Sequence, residues 1–235
     1  MRLLVLAGGF GTRLSSVLGS NAKALAPIGE KPFLRIQLEH WISQGITQFS
    51  FLLHHQADQI ISFLDSEKTG VLKSCDVDYV IEATPLDTGG AVANAAKELR
   101  LQGDFLLVNA DTWLSTGIKE VSERKSPSIA VIRATMGKRY GQVRFNQKFQ
   151  VTSFTEKGEN VTVGWINAGL FKLTASVFSD WDGTSFSLER KVLTELADTR
   201  TLRAIPLETN FIDIGIPSDY TRFCRWISNN RKLPL

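Results

Sequence analysis

The chain has 235 residues, 43% hydrophobic and 22% charged, which suits a globular protein with a sizeable core and excludes a disordered or fibrous one. Its 27 basic and 24 acidic residues leave a net charge of +3, spread along the chain, which argues against nucleic acid as a partner. No apolar run approaches the roughly 18–20 residues of a membrane span, the N-terminal one is shorter than a signal-peptide core, and Cys75 and Cys224 have no zinc or C-x-x-C spacing, so a cytoplasmic protein with no membrane partner is expected.

Taken in chain order, "RLLVL" (2–6) reads as a buried strand and "FLRIQLEHWISQG" (33–45) as a helix stopped by Gly45. "QFSFLL" (48–53) is a strand, "DQIISFLDS" (58–66) a helix and "VDYVI" (77–81) a strand. "TGGAVANAAKEL" (88–99) is a helix and "DFLLV" (104–108) a strand ending in Asn109-Ala110-Asp111. This alternation predicts a doubly wound, Rossmann-like α/β sheet, mixed but mostly parallel, with helices on both faces. From about residue 128 the pattern changes to strands with tight turns, at 128–134, 141–146, 149–157 and 164–173, expected as an antiparallel addition. Helices are expected at 186–198 and 217–230, the second opened by Pro217. No linker or repeat interrupts the chain. It reads as a single domain, 1–235, with a nucleotide-binding portion over about 1–127 and a sugar-phosphate portion over about 128–235.

The stretch "LAGGFGTRL" (6–14) asks for an anion. G-x-G-x-x-G lacks its third glycine here, because Leu14 stands in its place, and where a dinucleotide site wants its acidic residue the chain offers Lys23 and then Lys31. The P-loop pattern is also absent. What remains is a bare turn of backbone N–H groups, with Arg13 able to pair with a phosphate and Lys23 to act as a mobile charge. The competing reading is a glycine-rich turn beside two surface cations. Asp111 follows a strand's carboxyl end, where ligands of open α/β sheets bind, and Asp213 sits in the apolar "FIDIG" (211–215). These are either unrelated acids or the carboxylates of a Mg²⁺ site shared with substrate phosphates.

"LAGGFGTRL" followed by "KALAPIGEKPFL" resembles the signature of the sugar-1-phosphate nucleotidyltransferases, L-x-G-G-x-G-T-R-L and then P-K-x-[LM]-x-P-[IV]-x-x-[KR]-P. Ala22 replaces the proline before the lysine, which should loosen the approach of Lys23 to its phosphate. The resemblance implies Arg13, Lys23, Asp111 and Asp213 as the catalytic group, with Asp111 and Asp213 holding Mg²⁺. It implies a nucleotide site from Leu6, Ala7, Gly8, Gly9, Gly11, Thr12, Arg13, Lys23, Glu82, Pro85, Leu86, Thr88, Gly89 and Asn109. Glu82 would face the pairing edge of the base, with Gly89 and Gly90 letting the base approach. A carboxylate only accepts hydrogen bonds and guanine offers two adjacent donors, so GTP is the expected nucleotide. The segments "RYG", "TEK" and "NAG" imply a sugar-phosphate site from Asp111, Tyr140, Gly141, Glu156, Lys157, Asn167, Ala168 and Gly169.

Within that family the chain is most similar to D-glycero-α-D-manno-heptose 1-phosphate guanylyltransferases, with mannose-1-phosphate guanylyltransferases and N-acetylmuramate-1-phosphate uridylyltransferases as competitors. The implied partners are GTP or another nucleoside triphosphate and a sugar 1-phosphate; a homo-oligomer is left open. A catalytically silent nucleotide-sugar sensor would have lost one of the charged residues, all of which are present. A D-x-D glycosyltransferase would rest on Asp180-x-Asp182, in an expected surface loop. His54-His55 are expected to be structural or at the rim of the site. Trp165 is either a pocket wall or core.

Overall fold

The computed structural model describes residues 1–19, 21–136, 140–155 and 162–229. The elements run β1 (Leu3–Leu6), α1 (Ser15–Leu18), β2 (Pro27–Ile28), β3 (Lys31–Pro32), α2 (Phe33–Ser43), β4 (Gln48–Leu53), α3 (Ala57–Glu67), β5 (Asp76–Ile81), α4 (Asp87–Glu98), β6 (Asp104–Asn109), β7 (Thr112–Leu114) and α5 (Ile118–Ser122). There follow β8 (Ser128–Met136), β9 (Gln142–Phe145), β10 (Val151–Thr155), β11 (Thr162–Thr174), α6 (Thr194–Asp198), β12 (Arg203–Pro206), β13 (Phe211–Asp213) and α7 (Pro217–Asn229).

A nine-stranded sheet carries the fold, in the order β10-β9-β11-β6-β1-β4-β5, with β8 also pairing β11 and β12 pairing β8. Strands β6, β1, β4 and β5 run parallel, and β11 joins β6 antiparallel. Alternate residues of each buried strand face opposite sides. Leu3, Val5, Leu106 and Val108 pack under α2 and α3, while Leu4, Phe105 and Leu107 pack under α4. Each fully buried Leu or Phe contributes about 1.5–3 kcal/mol relative to exposure, so helices are held on both faces. This is the doubly wound sheet that the alternating pattern predicts.

The chain leaves β1 for β4 on one side and returns later to β6 on the other. Their carboxyl ends therefore open a crevice at a topological switch point, where such sheets bind ligands. Strands β7 and β13 form a separate antiparallel pair. A cluster of Leu14, Leu18, Phe33, Trp113, Ile212, Ile214 and Phe223 fastens α7 and this pair to the segment after the glycine turn.

Several short elements, β2, β3, β7, α5 and β13, are not expected from the sequence, and other elements also depart from expectation. The helix expected at 186–198 is a π-helix over Leu188–Leu193 that runs into α6. Strand β12 ends in Pro206 and lies parallel to β8, an addition that short-range alternation does not reveal. The strand expected from residue 149 begins at Val151, because Phe149 has φ +58° and turns the chain; residues 156 and 157 of that expectation lie outside the described residues.

Candidate active site

The glycines after β1 answer to different neighbours. A Cβ on Gly8 would lie 2.9 Å from the His54 backbone N, and one on Gly11, whose φ is +64°, 3.2 Å from the Lys23 Cβ. Gly8 thus admits the end of β4, and Gly11 admits the lysine segment. Gly9 has open space on its side-chain side. The Ala7 amide donates to Leu52 O at 3.0 Å, tying the start of the turn to β4. Phe10 is 56% exposed, its ring against His54 at 5.8 Å and His55 at 5.1 Å. His54 lines the cavity beside the turn, so it belongs to the rim.

At Ala22, where looseness is expected, the backbone is held by a hydrogen bond of its own. Ala22 has φ −58°, inside the range that proline imposes, and its N–H donates to Gln59 Oε1 on α3 at 2.8 Å. Proline has no N–H to give, so this chain holds the Lys23 segment by a tether that the proline form lacks.

Lys23 Nζ donates to Asp111 Oδ2, and the lysine side chain is 13% exposed against 32% for the aspartate. Burial pushes the Asp111 carboxyl up, but the Lys23 charge and hydrogen bond, aided by Thr112, outweigh it and hold it below the ordinary aspartate value. Asp213 is paired in register with Thr112, and Ile214 N donates to Asp111 O at 2.9 Å. The β7–β13 pairing thereby brings two aspartates 102 positions apart in sequence (213 − 111) to one wall. Asp213 Oδ1 accepts from Gly215 N at 2.7 Å, and a Cβ on Gly215 would lie 3.0 Å from Lys23 Nζ. Among the described residues no group of three or more His, Cys, Asp and Glu gathers to hold a metal. A pair of carboxylates facing one cavity still fits Mg²⁺, which takes one or two carboxylates and completes its shell with water and substrate phosphates.

Two adjoining cavities open here. One, about 470 Å³, is lined by Leu6, Gly8, Gly9, Phe10, His54, Glu82, Pro85, Asp87, Thr88, Ala91, Asn109, Asp111, Ser185 and Glu189. The other, about 430 Å³, is lined by Arg13, Asp87, Thr88, Asn109, Asp111, Thr112, Tyr140, Gly141, Asn167, Ala168, Gly169, Glu189, Arg190, Phe211 and Asp213, among others. Asp87, Thr88, Asn109, Asp111 and Glu189 belong to both walls.

In the first cavity Glu82 is only 8% exposed, and its Oε2 accepts the Leu86 amide at 2.8 Å. Burial pushes its carboxyl above the ordinary value, against the Leu86 hydrogen bond and His54, which pull it down. Ring atom Nδ1 of His54 meets Glu82 O at 3.0 Å while the same ring lies against Phe10, so one imidazole spans the glycine turn and the start of the segment after β5. Leu86 lies outside both cavities, and its amide orients Glu82. Gly89 and Gly90 line neither cavity, where the resemblance implies that they let the base approach. A Cβ on Gly89 would lie 2.2 Å from the Phe186 ring, one on Gly90 would lie 2.9 Å from Leu86 Cβ, and both amides donate to Phe186 O. Their missing side chains admit the 184–188 loop, not a base.

In the second cavity Gly141, Asn167, Ala168 and Gly169 lie together, with Tyr140 edge-on to Phe211 at 5.4 Å. Gly169 has φ +72°, and Asn167 Oδ1 caps its amide at 2.9 Å. Glu156 and Lys157 lie outside the described residues. Trp165 packs in the core beside Phe145 at 5.5 Å and lines neither cavity. Asp182 caps its own loop through Thr184, at 2.9 and 2.6 Å, and neither Asp180 nor Asp182 lines either cavity.

Asp87 and Glu189 line both cavities and are not among the residues that the sequence singles out. Glu189, on the π-helical turn, accepts through Oε2 from Thr88 Oγ1 at 2.7 Å and Ser187 Oγ at 3.0 Å. π-Helical turns concentrate at functional sites, but a stretch written "SLERKVL" reads as ordinary helix.

The family model described as Nucleotidyl transferase matches residues 2–226. The D-glycero-alpha-D-manno-heptose 1-phosphate guanylyltransferase of Campylobacter jejuni is 32% identical over 225 residues, covering 95% of this chain and 98% of that protein. The mannose-1-phosphate guanylyltransferase catalytic subunit beta of Drosophila melanogaster is 29% identical, and the match covers 98% of this chain and 64% of that one. The crystal structure of HddC from Yersinia pseudotuberculosis complexed with GMP-PN is 33% identical with a TM-score of 0.79, covering 96% of this chain and 99% of that chain. With the glycine turn, the paired aspartates and the crevice as its frame, this chain belongs to the Nucleotidyl transferase family.

Proposed function

We propose that the protein transfers GMP from GTP to a sugar 1-phosphate, with D-glycero-α-D-manno-heptose 1-phosphate as the acceptor, and releases pyrophosphate. The observation that carries this reading is the pair of adjoining cavities with Asp111 in their common wall. One has the apolar, acceptor-bearing lining that a base needs, and the other the mixed lining that a sugar phosphate needs. The heptose rests on relatives in Campylobacter jejuni and Aneurinibacillus thermoaerophilus that span nearly the whole chain. Mannose 1-phosphate is the second reading, favoured by the guanylyltransferases of that name at 29–30% identity.

A sugar phosphate needs no general base, since its second pKa is about 6. Its oxygen forms a bond to the α-phosphorus as the bond to the bridging β-phosphate oxygen breaks, and pyrophosphate carries away the electron pair. The N–H groups of the Gly8–Gly11 turn hold the triphosphate. Arg13 and Lys23 offset the repulsion between anions and align the attacking and leaving oxygens. Asp111 and Asp213 would hold Mg²⁺, which supplies charge neutralisation on the phosphates. Glu82 Oε1 accepts from guanine while Leu86 fixes the other oxygen. Asn109 and Thr88, with Pro85 against the base, complete the nucleotide side; Tyr140, Gly141, Asn167, Ala168 and Gly169, with Glu156 and Lys157, take the sugar phosphate. The half-exposed free thiols Cys75 and Cys224 accord with a reducing cytoplasm.

The test is pyrophosphate release with Mg²⁺ across GTP, ATP, UTP, CTP and dTTP, each against manno-heptose, mannose and N-acetylmuramate 1-phosphates. Release confined to GTP with the heptose supports the proposal. Release with mannose alone moves the sugar, release with UTP discards the Glu82 argument, and nucleotide binding without release overturns the catalytic reading.

A further inference from the structure

We infer that β5, the free edge of the main sheet, is a self-pairing surface that joins two copies of this chain antiparallel about a two-fold axis through Tyr79. Among the described residues β5 pairs with β4 alone. Asp76 N and Glu82 N donate inward, to Thr47 O and Leu53 O. In a parallel ladder the intervening odd residues turn both backbone groups away from the neighbour. Val77, Tyr79 and Ile81 therefore present an unpaired row of N–H and C=O groups at the edge.

That row is symmetric about Tyr79. An antiparallel copy centred there sets Tyr79 against Tyr79 and Val77 against Ile81 as hydrogen-bonded pairs, closing about six backbone bonds. Competing registers bring like charges together in the middle. Centring on Asp78 opposes two Asp78 carboxylates, and centring on Val80 opposes Asp78 with Glu82 twice. With Tyr79 at the centre, Asp78 faces Val80, and like charges meet only at the ends. There Arg2 lies against Asp76 at 3.4 Å and also pairs with Asp78. The edge also lacks the usual protection, since β5 holds no proline and no lysine. Instead Tyr79 is 45% and Ile81 50% exposed, both on the face that packs toward α3. On the α4 face a groove of about 640 Å³ runs along this edge past Leu99 and Trp181, room for the Val80 of an added strand.

The experiment is sedimentation velocity over a concentration series for the whole chain and for Tyr79→Lys and Ile81→Lys, with thermal unfolding as the check that each variant folds. A dimer that both lysines convert to monomer supports the proposal. A wild-type chain that is monomeric throughout, or a dimer that neither lysine disturbs, overturns it. The register is read separately in a Cys75→Ser, Cys224→Ser background. Tyr79→Cys lies against its own copy, within the Cα separation a disulfide spans, whereas Ile81→Cys lies about four residues from its own copy. Oxidation is expected to link Tyr79→Cys and not Ile81→Cys; the reverse result overturns the register.

Discussion

Lys23, which lines neither cavity, forms an ion pair with Asp111, which lines both; the lysine is carried on the segment packed against Gly11 and the aspartate follows β6. In the free protein each charge satisfies the other. In the proposed reaction, substrate phosphates and a metal ion compete for both, so the pair holds the site assembled until they arrive. Lys23→Ala is expected to lower kcat by about 10²–10³-fold, with a smaller change in the KM for nucleotide, as for loss of a group that stabilises developing charge. Steady-state kinetics with pyrophosphate detection measures that split; a change confined to KM would leave the lysine as a binding residue alone.

The same pair has a signature in stability. The Asp111 carboxyl is held below its ordinary value, so it contributes stability that is present above the unfolded value of about 3.9 and is lost as pH falls through the lower, folded value. Asp111→Asn removes this contribution. Denaturant titrations from neutral to strongly acid pH should show the wild type losing stability more steeply than the variant below pH about 4.

Glu82 titrates in the opposite sense. Burial raises its carboxyl, so on acidification it takes up a proton earlier than an exposed glutamate, whose pKa is about 4.3. The protonated form accepts fewer hydrogen bonds, and the proposed contact with guanine weakens. The acid limb of kcat/KM for GTP is therefore expected above that ordinary value and absent in Glu82→Gln. The same variant should lower the GTP-to-UTP preference by about 10–100-fold, the worth of one charge-assisted hydrogen bond. An unmoved preference removes Glu82 from base recognition.

The parallel sheet and its flanking helices are legible because β1, β4 and β6 are buried on both faces and the helices between them are amphipathic. The glycine turn is legible because its composition has few other uses. What local sequence does not encode is what distant segments do to one another. Thr112–Leu114 and Phe211–Asp213 are too short to register as strands, yet their pairing joins the two aspartates. Glu189 reaches the site through a π-helical turn, and Ala22 looks like a loss until Gln59 is seen to accept its N–H. Gly89 looks like a ligand glycine because Phe186, which needs its space, is 97 residues away (186 − 89).

The Ala22 tether yields its own test. Gln59→Leu removes the acceptor and leaves the Ala22 N–H without its partner, which frees the Lys23 segment. The expected result is a fall in kcat together with a lowered Tm, since a buried N–H left without its acceptor costs about 1–3 kcal/mol. Adding Ala22→Pro should restore activity in the Gln59→Leu background, because φ −58° already suits proline and the orphaned N–H is removed with it. Failure of that rescue, with both variants folded, would detach Ala22 from the control of Lys23.

The glycines separate packing from ligand approach. Gly89→Ala drives a methyl into the Phe186 ring and the Leu188 backbone, and Gly9→Ala meets nothing within 4 Å. Overpacking of the first kind costs about 1–3 kcal/mol, so Gly89→Ala is expected to lower the Tm measurably, and Phe186→Ala should relieve part of that loss. Gly9→Ala should leave the Tm unchanged and raise the KM for GTP, because the space it fills is the one proposed for the triphosphate. Thermal unfolding and nucleotide titration on the two variants decide the matter: if Gly9→Ala binds GTP like the wild type, the triphosphate does not approach the turn at Gly9.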